Sequence, residues 1–245
     1  MLKTICIIPA RYASTRLPGK PLRLIAGMPM ICRVFDRAAR ATRVDATVVA
    51  TDDQRIFDAV VDHGGQAVMT RADHSTGTDR LAEAVGNFPD AELIVNVQGD
   101  EPLINPKLID DLIALFDGDD QLNMATVAIE LTEPSEINNP NNVKVVMDRN
   151  NYALYFSRAA IPFERNAGKS RICKHIGIYA YRKQFLLEYA KMSPTPLEQS
   201  ESLEQLRALE NGHKIKVLLS NDRFIGVDTE EDLAEVNRIY EEVKS

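Results

Sequence analysis

Residues 5–21 read Ile5-Cys6-Ile7-Ile8-Pro9-Ala10-Arg11-Tyr12-Ala13-Ser14-Thr15-Arg16-Leu17-Pro18-Gly19-Lys20-Pro21, an apolar run that passes into a loop of cations and hydroxyls. The apolar run predicts a buried strand. Ligands of α/β sheets bind beyond the carboxyl ends of the strands, so the cations of this loop are placed to bind a polyphosphate. Gly19 lets the backbone approach such a ligand closely. The loop matches neither the Walker A motif nor G-x-G-x-x-G, and by itself it is equally consistent with a solvated basic loop.

The length and the cysteine content indicate one globular domain in a reducing compartment. A chain of 245 residues can bury roughly 70% of its unfolded surface, so it needs no disulfide or metal for stability. Cys6, Cys32 and Cys173 are odd in number and never in C-x-x-C spacing. We therefore expect reduced thiols, no structural zinc site and a cytoplasmic location.

Charge and hydropathy exclude several classes of partner. The net charge is −7, aromatic residues make up 6% of the chain and tryptophan is absent, which disfavours a nucleic-acid partner. No apolar stretch approaches the length of a membrane span, so no membrane insertion is expected. An acidic protein that binds an anionic ligand must concentrate its cations locally, as residues 11–20 do.

Strand and helix patterns alternate through the first half of the chain. They predict strands at 5–8, 47–50, 66–69 and 93–97, and helices at 30–41, 54–63, 81–85 and from 106 onward. This order predicts an α/β fold with a mostly parallel sheet and helices on both faces.

The second half is richer in strands. The pattern predicts strands at 124–131, 143–147, 153–157 and 175–181, separated by turn signals rather than full helices. We interpret them as an antiparallel extension, so that a single domain over 1–245 carries a strand-rich lobe at about 132–182. A helix at 198–210, a strand at 214–219 and a last helix opened by a capping box at Thr229 complete the prediction.

Two distant acidic segments suggest a metal site. Asp100 follows the strand at 93–97, and Asp228 lies just before the last helix. Two aspartates that converge on a polyphosphate are the donors that Mg²⁺ prefers, together with phosphate oxygens and waters. Each aspartate alone is more simply explained as a helix cap or a turn residue, and the pair indicates a metal site only together with the basic loop at 11–20.

A third polar cluster covers residues 70–80, Thr70-Arg71-Ala72-Asp73-His74-Ser75-Thr76-Gly77-Thr78-Asp79-Arg80. Its hydroxyls, glycine and arginines at a predicted helix start can contact a base or a phosphate. A well-capped surface turn is the alternative.

Six blocks, spread through the whole chain, carry a family resemblance. They are residues 7–22, Asn96-Val97-Gln98-Gly99-Asp100-Glu101-Pro102, Ala153-Leu154-Tyr155-Phe156-Ser157-Arg158, His175-Ile176-Gly177-Ile178-Tyr179, Leu203-Glu204-Gln205-Leu206-Arg207 and Gly226-Val227-Asp228-Thr229. In this order they closely resemble the 3-deoxy-manno-octulosonate (Kdo) cytidylyltransferases. The resemblance implies a Rossmann-like nucleotidyltransferase sheet and transfer of CMP from CTP to the anomeric hydroxyl of an acidic eight-carbon keto sugar, with release of pyrophosphate, for lipopolysaccharide synthesis. It also implies Mg²⁺ as cofactor and a homodimer whose contact involves the strand-rich half.

The resemblance also assigns residues to roles. The expected catalytic residues are Arg11, Lys20, Asp100 and Asp228, with Asp100 and Asp228 as ligands of Mg²⁺. The expected nucleotide contacts are Ala10, Arg11, Lys20, Arg71, Ser75, Gly77, Arg80 and Gln98. The expected sugar contacts are Gln98, Arg158, His175, Tyr179, Glu204 and Gln205.

Packing roles remain alternatives for several of the sugar residues. A histidine inside a strand is often a core residue, and Tyr179 is consistent with strand packing. Glu204 is consistent with a solvated helix face. His63, His74 and His213 have no partner pattern and receive no role.

The exact substrate is also open. The segment 163–174 is shorter than the corresponding segment of many family members, and it adjoins the expected sugar residues. An 8-amino-3,8-dideoxy relative of Kdo is therefore an alternative, as is another acidic keto sugar such as a sialic or legionaminic acid. A nucleotide-binding regulator without turnover is the alternative from another class, and the presence of Asp100, Asp228, Arg11 and Lys20 argues against it.

Overall fold

The first strand, Thr4–Ala10, is buried on both of its faces. Side chains along a strand point alternately to opposite sides, and Ile5, Cys6, Ile7 and Ile8 are each at most 2% exposed. Both sides of the sheet are therefore covered at this strand, as a parallel sheet requires. The structure, a computed structural model, describes residues 2–13, 17–74, 76–166 and 168–242.

The strands and helices follow in chain order. The strands are β1 Thr4–Ala10, β2 Leu24–Ile25, β3 Met28–Pro29, β4 Ala46–Thr51, β5 Ala67–Met69, β6 Leu93–Asn96, β7 Met124–Leu131, β8 Lys144–Met147, β9 Ala153–Ser157, β10 Ile172–Arg182 and β11 Lys216–Ser220. The helices are α1 Met30–Ala38, α2 Gln54–Asp62, α3 Gly77–Ala84, α4 Pro106–Ala114, α5 Pro134–Ile137, α6 Lys183–Tyr189, α7 Pro196–Glu201, α8 Leu206–Glu210 and α9 Glu230–Glu242, with short 3₁₀ turns at Lys20–Leu22 and Val85–Asn87.

The chain divides into two compact units, residues 1–110 with 223–245, and residues 111–222. The single domain with a lobe at about 132–182 stays a prediction. In the first unit, β6, β1, β4 and β5 pair in parallel in this order. Pro9 fits within β1 because the pairing of β1 with β6 ends at Ile7, so the missing N–H of Pro9 breaks no hydrogen bond on that side.

The first unit confirms the predicted alternation of strands and helices, with one correction. α3 begins at Gly77 rather than at 81, because Thr76 and Asp79 form a capping box that satisfies the first N–H groups of the helix. The polar composition of residues 76–80 conceals this helix start in the sequence.

The second unit contains the predicted antiparallel strands. β10 pairs antiparallel with β7 and with β8, β8 pairs antiparallel with β9, and β11 pairs parallel with β7. The predicted α/β class, mostly parallel with an antiparallel part, is confirmed.

The helices of the second unit differ from the prediction. The helix predicted at 198–210 is two helices, α7 and α8, because Ser202 adopts a left-handed conformation (φ 52°) that ends α7. α6 and the one-turn helix α5 are helices that the sequence analysis did not predict. Gly212, just beyond the C-cap residue Asn211 of α8, has φ 81°, a left-handed conformation that is common after the end of a helix.

Two further findings concern the chain as a whole. Within the described ranges, no helix combines the length and apolar character that crossing a bilayer requires. All three cysteines are free thiols and buried, as expected. Burial raises the pKa of the Cys6 thiol to about 12, which makes it a packing residue rather than a nucleophile.

Candidate active site

The loop after β1 ends in a tight turn that fixes Lys20. Gly19 has φ +64°, a left-handed conformation that costs little without a side chain. A Cβ at Gly19 would also approach the Tyr12 hydroxyl to 3.1 Å. The Lys20 N–H donates to the Leu17 carbonyl at 3.1 Å, and Leu17 is completely buried. The turn therefore holds Lys20 at the start of its 3₁₀ helix against the core.

The segment Gln98–Pro102 follows β6 and lies against the end of β1. A Cβ at Gly99 would stand 3.0 Å from the backbone oxygen of Pro9 and 3.4 Å from the Ile31 side chain. A side chain at this position would crowd the backbone of β1, so Gly99 favours the close approach that places Asp100 beside the carboxyl end of β1.

The segment that carries Asp228 is tied directly to Asp100. The Val227 N–H donates to the Asp100 carbonyl oxygen at 2.9 Å. Val227 packs in a buried apolar cluster with Leu17, which anchors the Lys20 loop. The Asp228 N–H donates to the Asp232 carboxylate at 3.0 Å, and the same carboxylate caps α9 with Thr229.

These three segments place the carboxylates of Asp100 and Asp228 within hydrogen-bond distance of the Lys20 ammonium. Lys20 Nζ lies 2.6 Å from Asp100 Oδ2 and 3.0 Å from Asp228 Oδ1. The Lys20 side chain is 17% exposed, against 29% for Asp100 and 41% for Asp228. The predicted convergence of the two carboxylates is confirmed.

Electrostatics keeps Lys20 charged at this position. Burial lowers the pKa of the Lys20 ammonium, but the charge of Asp100 and the hydrogen bonds to both carboxylates outweigh it. The net effect raises the Lys20 pKa above its ordinary value.

Asp100 and Asp228 also suit a divalent cation. Mg²⁺ is commonly held by one or two carboxylates, with phosphate oxygens and waters completing six ligands. Among the residues that the structure describes, no group of three or more His, Cys, Asp or Glu side chains is arranged as a complete metal site. The donor set therefore fits a metal that arrives with a phosphate ligand, and the role of the two aspartates as metal ligands stays a prediction.

Other expected nucleotide residues lie around this loop. Ala10 is buried at the end of β1, Arg11 follows it with an exposed side chain, and Gln98 is partly buried after β6. Ser75 lies outside the described residues. The predicted contacts of these residues with a nucleotide are untested.

The cluster at 70–80 divides into exposed and internal residues. Arg71 is exposed and pairs with Asp73 at 3.2 Å. Arg80 has a side chain only 1% exposed, and its guanidinium pairs with Asp52 at 3.0 Å and with the Thr70 hydroxyl. Gly77 begins α3. The structure thus uses Arg80 as an internal ion pair, and any role of Arg80 toward a nucleotide remains a prediction.

In the second unit, a bulge in β10 brings His175 and Tyr179 together. The pairing of β10 with β7 shifts register between Ile176 and Tyr179, and the Thr126 hydroxyl donates to the Ile178 carbonyl at 2.8 Å. The rings of His175 and Tyr179 lie 5.4 Å apart, whereas residues four apart in a regular strand are separated by about 13 Å.

Burial determines the protonation of this aromatic pair. Burial lowers the pKa of the His175 imidazole to about 3, so the ring is neutral at neutral pH. His175 Nε2 lies 3.0 Å from Thr126 Oγ1. Burial, with a smaller contribution from Glu204, raises the pKa of Tyr179, which is therefore a neutral hydroxyl.

Arg158 is held by backbone oxygens. Its Nε donates to the Glu201 carbonyl at 2.7 Å, and its terminal nitrogens donate to the carbonyls of Pro140 and Ser202. The Glu201 carboxylate in turn accepts from the Arg158 N–H at 2.9 Å and the Ser157 hydroxyl at 2.6 Å. These contacts connect the end of β9 with the break between α7 and α8.

Glu204 and Gln205 lie in that break. The Tyr189 hydroxyl donates to the Glu204 carbonyl at 2.6 Å, and Arg207 stands 3.8 Å from the Glu204 carboxylate. Gln205 is 5% exposed, and its amide nitrogen has no hydrogen-bond partner within the described part of the chain. A buried N–H without a partner is costly, which favours the predicted use of Gln205 toward a polar ligand.

Sequence reasoning missed the side chains that support these residues. Glu198 and Arg207 form a buried ion pair, with Arg207 Nε 2.8 Å from Glu198 Oε2. Lys144 is completely buried and donates to the carbonyls of Asn139, Asn142 and Arg158. Arg207 was visible as the last residue of its block, but Lys144 carried no local signal.

Comparisons with known proteins match nearly the whole chain to cytidylyltransferases. A family model described as cytidylyltransferase matches residues 5–215. The 3-deoxy-manno-octulosonate cytidylyltransferase of Fusobacterium nucleatum is 52% identical over 235 residues, 96% of each chain. That of Syntrophotalea carbinolica is 52% identical over 239 residues, 94% of this chain and 95% of the relative.

A solved structure has a similar fold over nearly the whole chain. It is described as CMP:2-keto-3-deoxy-manno-octonic acid synthetase complexed with CTP, and it is 43% identical with a TM-score of 0.94. The match covers 98% of this chain and 99% of the other. The chain therefore belongs to the cytidylyltransferase family, in its 3-deoxy-manno-octulosonate cytidylyltransferase branch.

Proposed function

We propose that this nucleotidyltransferase transfers CMP from CTP to 3-deoxy-manno-octulosonate and releases pyrophosphate, a step that activates the sugar for lipopolysaccharide synthesis. The observation that carries the proposal is the identity of about half of all residues, over nearly full length, to relatives named for this reaction. The similarity to a structure complexed with CTP supports the nucleotide.

The reaction joins two anions. The anomeric oxygen of the sugar forms a bond to the α-phosphorus of CTP, the bond from that phosphorus to the bridging oxygen breaks, and pyrophosphate leaves. The hydroxyl proton is lost to base or solvent. Lys20 and Arg11 supply positive charge at the end of β1, where they offset the repulsion. A cation about 4 Å from a phosphate charge contributes ~4 kcal/mol at an effective dielectric of ~20.

The cofactor in this proposal is Mg²⁺, held by Asp100 and Asp228. When bound, it neutralises phosphate charge and orients the triphosphate. The Val227–Asp100 backbone bond joins the two segments that carry these carboxylates. The chain's own contribution is to hold these ligands and Lys20 on loops that hydrogen bonds and buried apolar contacts join to one another.

The sugar contacts proposed in the second unit are Arg158, His175, Tyr179, Glu204 and Gln205. Gln98, in the first unit, is a further sugar contact that the family resemblance implies. Neutral His175 and Tyr179 suit hydroxyl groups, and the buried amide of Gln205 suits an oxygen acceptor. These assignments rest on the family resemblance and on the placement of the five residues of the second unit.

The proposal extends to a cytoplasmic homodimer. Phe163 is 89% exposed, and Leu154 is also exposed, so the strand-rich unit offers apolar side chains for a contact between copies. Light scattering after size-exclusion chromatography tests this part, and a monomer at micromolar concentration contradicts it.

A substrate panel tests the reaction. Pyrophosphate release is measured with CTP, Mg²⁺ and one of four acids: Kdo, its 8-amino-3,8-dideoxy analogue, a sialic acid or a legionaminic acid. We expect the highest kcat/KM with Kdo. Preference for the 8-amino analogue or activity only on a nine-carbon acid overturns the choice of sugar. Binding of CTP without pyrophosphate release from any acid overturns catalysis.

A further inference from the structure

We infer that Lys20 is the internal counterion of Asp100 and Asp228 before substrate binds, and that its ammonium must move away before a divalent cation can bind both carboxylates. The inference rests on the proposed magnesium site. Its consequence is that the nucleotide, by drawing Lys20 to its phosphates, admits the metal.

Distances carry the first step. Lys20 Nζ contacts Asp100 Oδ2 at 2.6 Å and Asp228 Oδ1 at 3.0 Å, which are lengths of direct charge-assisted hydrogen bonds. A Mg²⁺ ion binds oxygen at about 2.0–2.1 Å. A metal that bridges these two oxygens would therefore occupy nearly the same space as the ammonium, so the two cations exclude each other.

Charge carries the second step. Two carboxylates around one ammonium leave one net negative charge, whereas the same carboxylates without it carry two. A divalent cation is therefore attracted more weakly while Lys20 remains in place. Arg23, three residues after Lys20 in the sequence, does not take its place, because its guanidinium forms a bidentate pair with Glu230 at 2.7 and 2.8 Å.

The third step is that Lys20 can leave. Lys20 lies on a 3₁₀ turn of three residues, and its side chain is a flexible four-carbon stem. Both carboxylates are partly exposed to solvent. A triphosphate offers the ammonium more negative charge than either aspartate does. Nucleotide and metal then favour each other's binding, because any such coupling is reciprocal.

The test measures metal binding to the full chain without nucleotide. Mn²⁺, which reports its own binding by electron paramagnetic resonance, is titrated into the wild type, Lys20→Met and Arg23→Met. The two variants lose the same charge, but Arg23→Met frees Glu230 rather than the aspartate pair. We expect Lys20→Met to lower the Kd for Mn²⁺ at least about tenfold, and Arg23→Met to change it less than about twofold.

A double variant locates the metal. Adding Asp228→Asn to Lys20→Met should abolish the gain in affinity. Circular dichroism checks that each variant is folded, and Lys20→Gln replaces Lys20→Met if the latter fails to fold.

Three outcomes overturn the inference. An unchanged Kd in Lys20→Met shows that the ammonium does not compete with the metal. An equal gain in Arg23→Met shows that net charge alone is responsible. A gain that survives Asp228→Asn shows that the metal binds elsewhere, which also rejects the proposed magnesium site. CMP transfer itself is decided separately by the substrate panel.

Discussion

The Val227 N–H donates to the carbonyl oxygen of Asp100 at 2.9 Å, and this bond joins two loops that are far apart in the sequence. It holds Asp228, the next residue, near the Asp100 carboxylate. Because backbone atoms make the bond, the spacing of the two backbone segments that carry these carboxylates does not depend on side-chain rotamers. The metal and phosphate chemistry proposed here depends on that spacing.

The first prediction concerns Asp100. We expect Asp100→Asn to lower turnover at least about 100-fold, equivalent to about 2.7 kcal/mol of barrier, because an amide lacks the charge that holds Mg²⁺. Pyrophosphate release at saturating CTP and Kdo is the measurement. Asp90→Asn, at an exposed aspartate that pairs with Lys3, is the control. Unchanged turnover in Asp100→Asn would remove this residue from the mechanism.

The second prediction compares two glycines. A Cβ at Gly99 would press on the backbone oxygen of Pro9 at 3.0 Å, which cannot give way, whereas a Cβ at Gly226 would meet the flexible end of Glu101 at 3.2 Å. We expect Gly99→Ala to lower the free energy of unfolding by about 1–3 kcal/mol and to reduce turnover. Gly226→Ala should cost well below about 1 kcal/mol. Urea unfolding of both variants decides, and equal costs would contradict the close approach.

The third prediction concerns the buried pair of Glu198 and Arg207. Arg207→Met leaves a buried carboxylate without its partner, so we expect a loss of about 3–5 kcal/mol in the free energy of unfolding. The matched control is Arg223→Met, which breaks the exposed pair with Glu235 and should cost less than about 1 kcal/mol. Similar costs for the two variants would show that the Glu198–Arg207 pair does not stabilise the fold.

The fourth prediction is a pH dependence that arises from His175. Its pKa is about 3 in the folded chain and about 6.5 when unfolded, so only the unfolded state takes up the proton as the pH falls below about 6.5. Stability is therefore complete above that pH and is lost as the pH falls. Lowering the pH from 7.5 to 5.5 therefore lowers the free energy of unfolding by about 1.4 kcal/mol through His175.

His175→Gln tests that origin. Urea unfolding of the wild type and the variant at both pH values should show that the gap between them changes by about 1.4 kcal/mol in favour of the variant at pH 5.5. If both proteins lose the same stability between the two pH values, His175 is not the group that titrates.

Much of the first unit could be predicted because its signals are local. The apolar run of β1, the alternation with α1 and α2, and the capping box that opens α9 each follow from residues within a few positions of one another. The grouping of Asp100 with Asp228 rested instead on residue type and motif, because Asp228 lies in the loop before α9 and does not directly follow a strand.

The misses share another cause. The break at Ser202 follows Glu201, whose carboxylate accepts hydrogen bonds from Ser157 and Arg158, and Arg80 pairs with Asp52. At the bulge in β10, the Thr126 hydroxyl of the neighbouring strand donates to the Ile178 carbonyl. No short window of sequence contains both partners of any of these contacts.

By itself the sequence determined the α/β class, the family and the residue types that can hold a triphosphate and a metal, because periodicity and motifs are written along the chain. Tertiary structure alone decided that Lys20 bridges Asp100 and Asp228, that Arg80 serves an internal ion pair, and that Arg207 supports Glu204. The physical reason is that charge pairing depends on distance in space, and a folded chain brings together groups that no local pattern connects.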